Sequence, residues 1–383
     1  MQPAAVVITT PWGERLGGAE NMLWMFLKHL DRDRISPLVV FFQPGPFETE
    51  VSDLGIPTVV VPTGRLRQVG RVAHATWTLN RLLRHHQPDL LLNWSAKTQL
   101  YGATAALLAG RADRVVWWQH GVSKGHWMDR LASLLPARAV GCSSRSAASV
   151  QESFPPRRRT FVVNPGIEPP RQLTESKLGD LRRQLGIPAG KPVLGTVGRL
   201  QPDRGQDRVL RVLAGLRQRG HDVHCLIVGG NAYNLSPAYE TSLRRLVEDL
   251  GLREAVTFTG QVPDATAYIQ LMHVLVIASL GESFGIALLE GMAGGVPVVA
   301  FDDAGPAEIV ESNVSGILVP PGDETSLGEA VERLLTDPQL HRRLAAGGRR
   351  RFNAHFDVDR MTDKLISALA ESEGTAEALA AEA

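Results

Sequence analysis

A chain of 383 residues with 44% hydrophobic content is too long for one ordinary core and suits two domains of roughly 180 residues each. Its formal net charge of +1 excludes a global field that would recruit nucleic acid, so we expect no nucleic-acid partner. Because no run of about 18 apolar residues occurs, we also expect no membrane span. Cys142 and Cys225 lie in apolar segments without metal-ligand spacing, which indicates buried thiols in a reducing compartment. We therefore expect a cytoplasmic protein.

Strand patterns alternate with helical patterns along the whole chain, which predicts an α/β fold with parallel sheets covered by helices on both faces. In the first half, we predict strands at 5–9, 36–42, 58–61, 90–93, 114–119, 139–142 and 160–163, with helices such as 19–30 and 69–86 between them. In the second half, strand patterns begin at 193, 223, 256, 275, 297 and 316, and helices follow at 326–335 and 338–355.

The first strand-to-helix turn ends in two glycines, Gly17 and Gly18. Their lack of side chains would let a phosphate reach the backbone amides of the following helix, although an ordinary tight turn also explains them. Further along, His120 follows the apolar strand at 114–119. Ligands of open α/β sheets lie outside the carboxyl ends of the strands, so His120 is a candidate for a sugar or acceptor contact. The alternative is a structural histidine whose ring nitrogens are hydrogen-bonded within the protein.

Two cations follow the strand that begins at Val193, namely Arg199 and Arg204. Cations at the mouth of a sheet suit a diphosphate that gains charge as it leaves. The alternative is a pair of solvated arginines.

The stretch 280–293 follows an apolar strand and enters a helical pattern with Ile286, Leu289 and Ala293 on one face. A helix N-terminus favours an anion, whereas the carboxylates of Glu282 and Glu290 accept hydrogen bonds from neutral hydroxyls. A sugar nucleotide carries both chemical parts. The alternative is an ordinary strand-helix unit in which the two glutamates have no common function.

These stretches together resemble the motifs of the retaining GT-B glycosyltransferases of group 1. Glu282 and Glu290 match the Glu-x7-Glu motif, and Gly17-Gly18 matches the first-turn motif. Arg204 departs from the family, which usually has lysine there. The resemblance implies a GT-B fold: two Rossmann-like parallel-sheet domains with a cleft between them. It also implies an N-terminal domain of residues 1–170, a C-terminal nucleotide-sugar domain of 171–355, a helix 356–371 crossing back to the first domain, and a flexible tail 372–383.

The resemblance further implies transfer of a hexose from a nucleotide-diphosphate sugar, UDP- or GDP-linked, to a hydroxyl acceptor, with retention of configuration. It implies neither a cofactor nor a metal. Arg199, Arg204 and the helix tip would hold the diphosphate, Glu282 the transferred sugar and Glu290 the ribose. The full set of implied site residues is Glu282, His120, Arg199 and Arg204 as catalytic, and Gly17, Gly18, Val262, Phe284, Gly285, Ile286 and Glu290 as donor-binding.

Several alternatives stay open at this level. A disaccharide synthase or phosphorylase, a GT-B epimerase and a non-catalytic sugar-nucleotide-binding protein would use the same diphosphate site. The basic, partly apolar segment 65–84 suits either a weak peripheral contact with the inner face of a membrane or a surface helix packed on the sheet. Acceptor choice is expected in the loops 12–16, 63–70 and 122–127. Glu308 is expected to be a charge at the start of a helix. The sequence does not decide the oligomeric state.

Overall fold

The computed structural model describes residues 2–64, 67–121, 127–154, 156, 158–231 and 236–373, and it divides into two compact units. Unit 1 comprises Met1–Gly166 with Val358–Ala383, and unit 2 comprises Ile167–Asp357. Each unit contains one parallel sheet covered by helices, so the predicted α/β fold class is confirmed. Arg65 and Leu66 of the predicted basic segment, residues 122–126 of the predicted acceptor loop, and the predicted tail from residue 374 onward lie outside the described residues.

Unit 1 contains a seven-stranded sheet in the order β3-β2-β1-β4-β5-β6-β7, in which all paired strands are parallel. Its inner strands are apolar and mostly buried on both faces, as is typical of parallel sheets, whereas its two edge strands are only partly buried. They are β1 (Ala4–Thr10), β2 (Ile35–Phe41), β3 (Thr58–Val60), β4 (Leu90–Asn93), β5 (Val115–Gln119), β6 (Ala139–Cys142) and β7 (Arg159–Val162).

In the described part of unit 1, six α-helices connect these strands and cover the sheet: α1 (Gly18–Lys28), α2 (Pro46–Asp53), α3 (Val69–His86), α4 (Ala96–Leu108), α5 (Trp127–Leu134) and α6 (Arg145–Ser153). The helices α1 and α2 pack on one face of the sheet, where Phe26 and Phe47 are fully buried. The helices α3 to α6 contribute to the core on the opposite face, where Leu79 and Tyr101 are buried.

Unit 2 contains a six-stranded parallel sheet in the order β10-β9-β8-β11-β12-β13. Its strands are β8 (Val193–Val197), β9 (His224–Val228), β10 (Val256–Phe258), β11 (Val274–Ile277), β12 (Val298–Phe301) and β13 (Ile317–Val319). Its helices are α7 (Glu175–Gln184), α8 (Gln206–Gln218), α9 (Pro237–Asp249), α10 (Thr266–Ile269), α11 (Ile286–Gly294), α12 (Ala304–Ile309), α13 (Glu324–Thr336) and α14 (Pro338–His355).

The final helix, α15 (Val358–Glu373), belongs to unit 1 although it follows unit 2 in the chain. Met361, Leu365 and Leu369 are buried in the same core as α1. At the helix surface, a hydrogen bond of 2.9 Å joins Asp359 to His29, and an ion pair of 3.4 Å joins Asp363 to Arg34. The apolar spacing of this segment therefore serves the core of the N-terminal unit.

The helix α11 differs from its predicted pattern. Leu288, Leu289 and Met292 are fully buried, whereas Ile286 is only half-buried, so the predicted apolar face through Ile286 is partly wrong. The reason is that α11 packs against α14 as well as against the sheet, and its apolar surface extends around most of the helix.

Cys142 and Cys225 are buried free thiols, as the sequence predicts, and burial raises the pKa of each to about 12. Among the described residues, no helix combines the length and the hydropathy that crossing a bilayer requires.

Candidate functional site

The chain order of the unit 2 sheet reverses between β8 and β11, which are adjacent strands. Ligands of doubly wound sheets bind at such a switch point, outside the carboxyl ends of the strands. Two loops meet there, residues 198–205 after β8 and residues 278–285 after β11. A Cβ on Gly205 would lie 2.2 Å from the Ala278 carbonyl oxygen, so only glycine allows the two loops to approach this closely.

The helices that begin at this switch point have no side-chain cap. The residue before α8 is Gly205 and the residue before α11 is Gly285, both with positive φ. By contrast, Thr174, Asp323 and Asp337 accept hydrogen bonds from the first turns of α7, α13 and α14. The Leu288 amide donates to the Gly285 carbonyl oxygen at 2.9 Å, but no side chain caps the amides that precede it. These amides at the start of α11 suit an anion, as the resemblance implies for Phe284, Gly285 and Ile286.

Arg204 and Glu282 form an ion pair across the two loops. Both side chains are largely buried, with 25% and 12% of their area exposed. Burial acts against the charged form of Arg204, but the charge and hydrogen bond of Glu282, together with the charge of Asp203, outweigh it and raise the pKa of Arg204. The guanidinium therefore keeps its charge, and the carboxylate beside it has a fixed position.

Arg199 lies in the same loop as Arg204 and is half-buried. Its side chain has no hydrogen-bond or ion-pair partner among the described residues. Its carbonyl oxygen accepts a 2.9 Å hydrogen bond from Nε2 of Gln206, the first residue of α8. The loop backbone is thus held in place while the guanidinium can accept a partner from outside the protein.

The loop after β11 is held by backbone groups and by one carboxylate. The Gly281 amide donates to Oδ2 of Asp303 at 2.6 Å, and the Leu280 amide donates to the Asp203 carbonyl at 3.1 Å. The Gly305 amide donates to the Glu282 carbonyl at 2.9 Å. A Cβ on Gly305 would lie 2.2 Å from the Phe284 Cα, so α12 packs directly against the backbone of this loop.

Glu290 lies in the second turn of α11 and is half-buried. Burial, with a smaller contribution from the charge of Asp264, raises the pKa of Glu290 to about 7. Its carboxyl group has no hydrogen-bond partner among the described residues. Asp264 belongs to the loop after β10 that also contains Val262, which is half-buried against the core beside α11. The loop with the predicted base contact therefore lies on the same side of unit 2 as Glu290.

In unit 1 the chain order reverses between β1 and β4, and its polar groups are arranged differently. Gly17 precedes α1 without a side-chain cap, and Gly18 is the first residue of that helix. His120 follows β5, where Nε2 lies 3.0 Å from the Trp94 carbonyl oxygen and Nδ1 lies 3.2 Å from Oγ of Ser143. Burial lowers the pKa of His120 to about 3, so the imidazole is neutral near pH 7.

Two glycosyltransferase families match successive parts of this chain. The family of glycosyl transferases group 1 matches residues 179–351, and glycosyltransferase family 4 matches residues 16–171. This chain belongs to the group 1 glycosyltransferases. The predicted family and the predicted GT-B fold are thereby confirmed, and the chain is a hexosyltransferase of that family.

Individual relatives support this assignment for the whole length. A GDP-mannose-dependent alpha-(1-6)-phosphatidylinositol monomannoside mannosyltransferase of Mycobacterium tuberculosis is 27% identical, over 95% of this chain and 97% of that protein. An alpha-D-kanosaminyltransferase of Streptomyces kanamyceticus is 34% identical over 45% of this chain, and the match spans 43% of that relative. The crystal structure of Anabaena HepE with UDP and glucose superposes with a TM-score of 0.84 at 25% identity, covering 96% of this chain and 99% of HepE.

Of the predicted site residues of this glycosyltransferase, the structure brings Arg204 and Glu282 into contact and places both beside the tip of α11. Glu290 lies one turn further along the same helix. Gly17, Gly18 and His120 belong to unit 1. Their roles toward a donor stay predictions.

Sequence reasoning missed Asp303 and gave Glu308 the wrong position. No motif marks Asp303 in the sequence, yet its carboxylate accepts a hydrogen bond from the Gly281 amide, 22 positions away. Glu308 is near the end of α12, which begins at Ala304, so it is not a charge at a helix start. Within the described ranges, no group of three or more His, Cys, Asp or Glu residues could hold a metal ion.

Proposed function

We propose that this glycosyltransferase moves a hexose from a nucleoside diphosphate hexose to a hydroxyl acceptor, with retention of anomeric configuration. The observation that carries the proposal is the Arg204–Glu282 pair beside the uncapped tip of α11 at the unit 2 switch point. This arrangement brings together a positive charge, uncapped backbone amides and a carboxylate that can accept hydrogen bonds from sugar hydroxyls.

The cationic part suits the leaving diphosphate. When the bond between C1 of the sugar and the phosphate oxygen breaks, negative charge accumulates on the diphosphate. The guanidinium groups of Arg199 and Arg204 and the amides of α11 would stabilise that charge. Arg204, which is paired with Glu282, and the helix amides are held in place before the reaction, so little reorganisation is needed when the charge develops. The Arg199 guanidinium would join them when the diphosphate binds.

The carboxylates suit the hydroxyl groups. An ionised carboxylate accepts about four hydrogen bonds, so the contact with Arg204 leaves Glu282 with capacity for sugar hydroxyls. Glu290, once ionised, would accept from the ribose hydroxyls in the same way. We propose that Val262 and its loop contact the base.

Retention follows if the acceptor oxygen attacks C1 on the face that the diphosphate leaves. The bond from C1 to the acceptor oxygen forms as the bond to phosphate breaks, and the departing phosphate oxygen takes the acceptor proton. A double displacement through Glu282 is less favoured, because its ion pair with Arg204 lowers the nucleophilicity of the carboxylate.

For the donor, we propose a UDP- or GDP-linked hexose. The mycobacterial relative is named as GDP-mannose-dependent, and the HepE structures contain UDP or UDP-glucose. A thermal-shift panel of UDP-, GDP-, ADP- and dTDP-sugars would identify the base, because a ligand at about 100 times its Kd stabilises the native state by about 2.7 kcal/mol.

The decisive experiment then measures product formation with the identified donor and a panel of hydroxyl acceptors, and reads the anomeric configuration by NMR. The proposal predicts a retained linkage and release of the nucleoside diphosphate. Donor turnover to an isomeric sugar without any acceptor would instead identify an epimerase, and an inverted linkage would overturn the same-face mechanism. Binding without turnover of any kind would favour a non-catalytic protein.

A further inference from the structure

The helical layer formed by α3, α4 and α5 in unit 1 has an unusually apolar outer surface. Among the described residues, eight large apolar side chains are strongly exposed, and seven of them lie on these three helices. The remaining one, Val314, lies in unit 2. Single exposed apolar residues are normal, but a concentration on one layer marks an interaction surface.

The helix α5 shows this most clearly. Trp127, Leu131 and Leu134 are 62%, 43% and 61% exposed, and their spacing of four and three residues places them on one side of the helix. Ala132 and Ser133 on the other side are buried. This short helix therefore directs its small residues toward the core and its large apolar residues outward, which the stability of unit 1 alone does not require.

The same part of the chain carries a strong positive charge. Residues 54–151 contain twelve Lys and Arg but only three Asp and Glu, although the whole chain has a net charge of +1. Arg71, Arg81 and Arg84 are exposed on α3, and the Arg81 guanidinium lies 5.9 Å from the ring centroid of the exposed Trp77. Basic and apolar groups thus occur together on the helices that cover one face of the unit 1 sheet.

We propose that the outer surface of α3, α4 and α5 binds a lipid bilayer that contains anionic lipid. Tryptophan and leucine side chains enter the boundary between headgroups and acyl chains, while arginines contact the anionic headgroups. A second copy of the chain suits this surface less well, because two basic faces would repel each other. The proposal concerns unit 1 and does not depend on the proposed transferase chemistry.

The test is cosedimentation of the full chain with vesicles of phosphatidylcholine containing phosphatidylglycerol, without donor or acceptor. The double variant Leu131→Ser/Leu134→Ser removes apolar contact, and Val314→Ser is the matched control in unit 2. We expect wild type and control to bind equally, and the double variant to bind at least about tenfold more weakly. Pure phosphatidylcholine vesicles and high salt should weaken wild-type binding.

The charge variant Arg71→Glu/Arg81→Glu provides a second arm, since both side chains are exposed and their replacement does not disturb the core. It should also lose binding to anionic vesicles. Equal binding of all variants, or no wild-type binding at low salt, overturns the proposal. The proposal is also overturned if the wild type is a dimer in solution and the Leu131→Ser/Leu134→Ser variant is a monomer, because this surface would then bind a second copy of the chain. Failure of the proposed transferase activity would appear separately, as absent donor turnover in a protein that still binds vesicles.

Discussion

Each unit has one switch point, where the strand order of its parallel sheet reverses, but the polar groups near the two switch points differ in whether the protein itself provides their hydrogen-bond partners. In unit 1 the protein itself occupies the polar atoms of His120, which contacts the Trp94 carbonyl and Ser143. In unit 2 the side chain of Arg199 and the carboxyl group of Glu290 have no partner among the described residues, and the tip of α11 has no side-chain cap.

The difference indicates that two units with the same architecture contribute differently to ligand binding. Unit 1 has a buried aromatic cluster in which the Trp94 and Trp118 rings stack with centroids 5.0 Å apart and the His120 ring lies edge-on to Trp94 at the same distance. Unit 2 has charges in fixed positions with remaining capacity for a ligand. Charge-assisted contacts to a diphosphate are the stronger interactions, so we expect substitutions in unit 2 to have the larger effects on catalysis.

The largest effect is expected from Arg204→Met, which preserves side-chain length and removes the charge. We expect turnover with the identified donor to fall by about 10²–10³-fold, because one preorganised group that stabilises the leaving charge is lost. Steady-state donor consumption measures it, and Arg245→Met on the exposed surface of α9 is the matched control. A loss below about tenfold would mean that unit 2 charge is not the main source of transition-state stabilisation.

The second prediction concerns the ionisation of Glu290. Its pKa of about 7 in the folded protein lies above the ordinary value of 4.5, so the folded state holds a proton that the unfolded state releases. Stability should therefore fall as pH rises from about 4.5 to 7, by roughly 2–3 kcal/mol in total. Glu290→Gln should remove this loss, so that the variant gains stability over wild type at pH 8 but not at pH 4.

Denaturant unfolding at pH 4 to 8 measures this stability difference, with the exposed Glu254→Gln as control. In wild type, donor affinity should also increase by about tenfold between pH 6 and pH 8, as the carboxylate that accepts ribose hydroxyls becomes ionised. In Glu290→Gln that increase should disappear. A wild-type donor affinity that is flat across this range would remove Glu290 from the ribose contact.

A third prediction tests whether the geometry of the loop after β11 matters as well as its charge. Gly305→Ala would place a Cβ 2.2 Å from the Phe284 Cα and force the loop to shift. We expect a destabilisation of about 1–3 kcal/mol and a higher KM for donor. Gly70→Ala on α3, where no atom lies within 4 Å of the added Cβ, is the control and should not destabilise. An unchanged donor KM in Gly305→Ala would show that this loop tolerates displacement.

The sequence predicted the elements well because their signals are local. The helices Val69–His86 and Pro338–His355 and the strands Leu90–Asn93 and Ala139–Cys142 have the predicted bounds. A run of apolar residues between turn residues identifies a buried strand from sequence alone. The position of Glu308 was wrong because α12 begins at Ala304 and spans only six residues. Its N-cap residue, Asp303, makes no cap hydrogen bond, because its carboxylate accepts from the Gly281 amide instead.

The sequence identified residues of the candidate site only where charged side chains belong to a recognisable motif, and it did not predict the contacts between them. Arg204 and Glu282 are 78 positions apart, and their contact follows from the adjacency of β8 and β11, which no local pattern encodes. The bond of Asp303 to the Gly281 amide and the contact of Gly305 with Phe284 have the same origin. Helix α5 gave no signal either, because outward apolar residues have the same spacing as inward ones.

The smallest effect is expected at His120. The Trp94 carbonyl can only accept, so Nε2 carries the proton and Nδ1 accepts from the Ser143 hydroxyl, whose oxygen also receives the Trp118 indole N–H at 3.1 Å. With a pKa of about 3, His120 stays neutral throughout the pH range of an assay. His120→Gln should therefore leave the shape of the pH profile of kcat/KM unchanged between pH 5.5 and 8.5, whatever it does to the rate. If instead the acidic limb of that profile disappears in the variant, His120 titrates during turnover, and the contrast between a closed unit 1 site and an open unit 2 site does not hold.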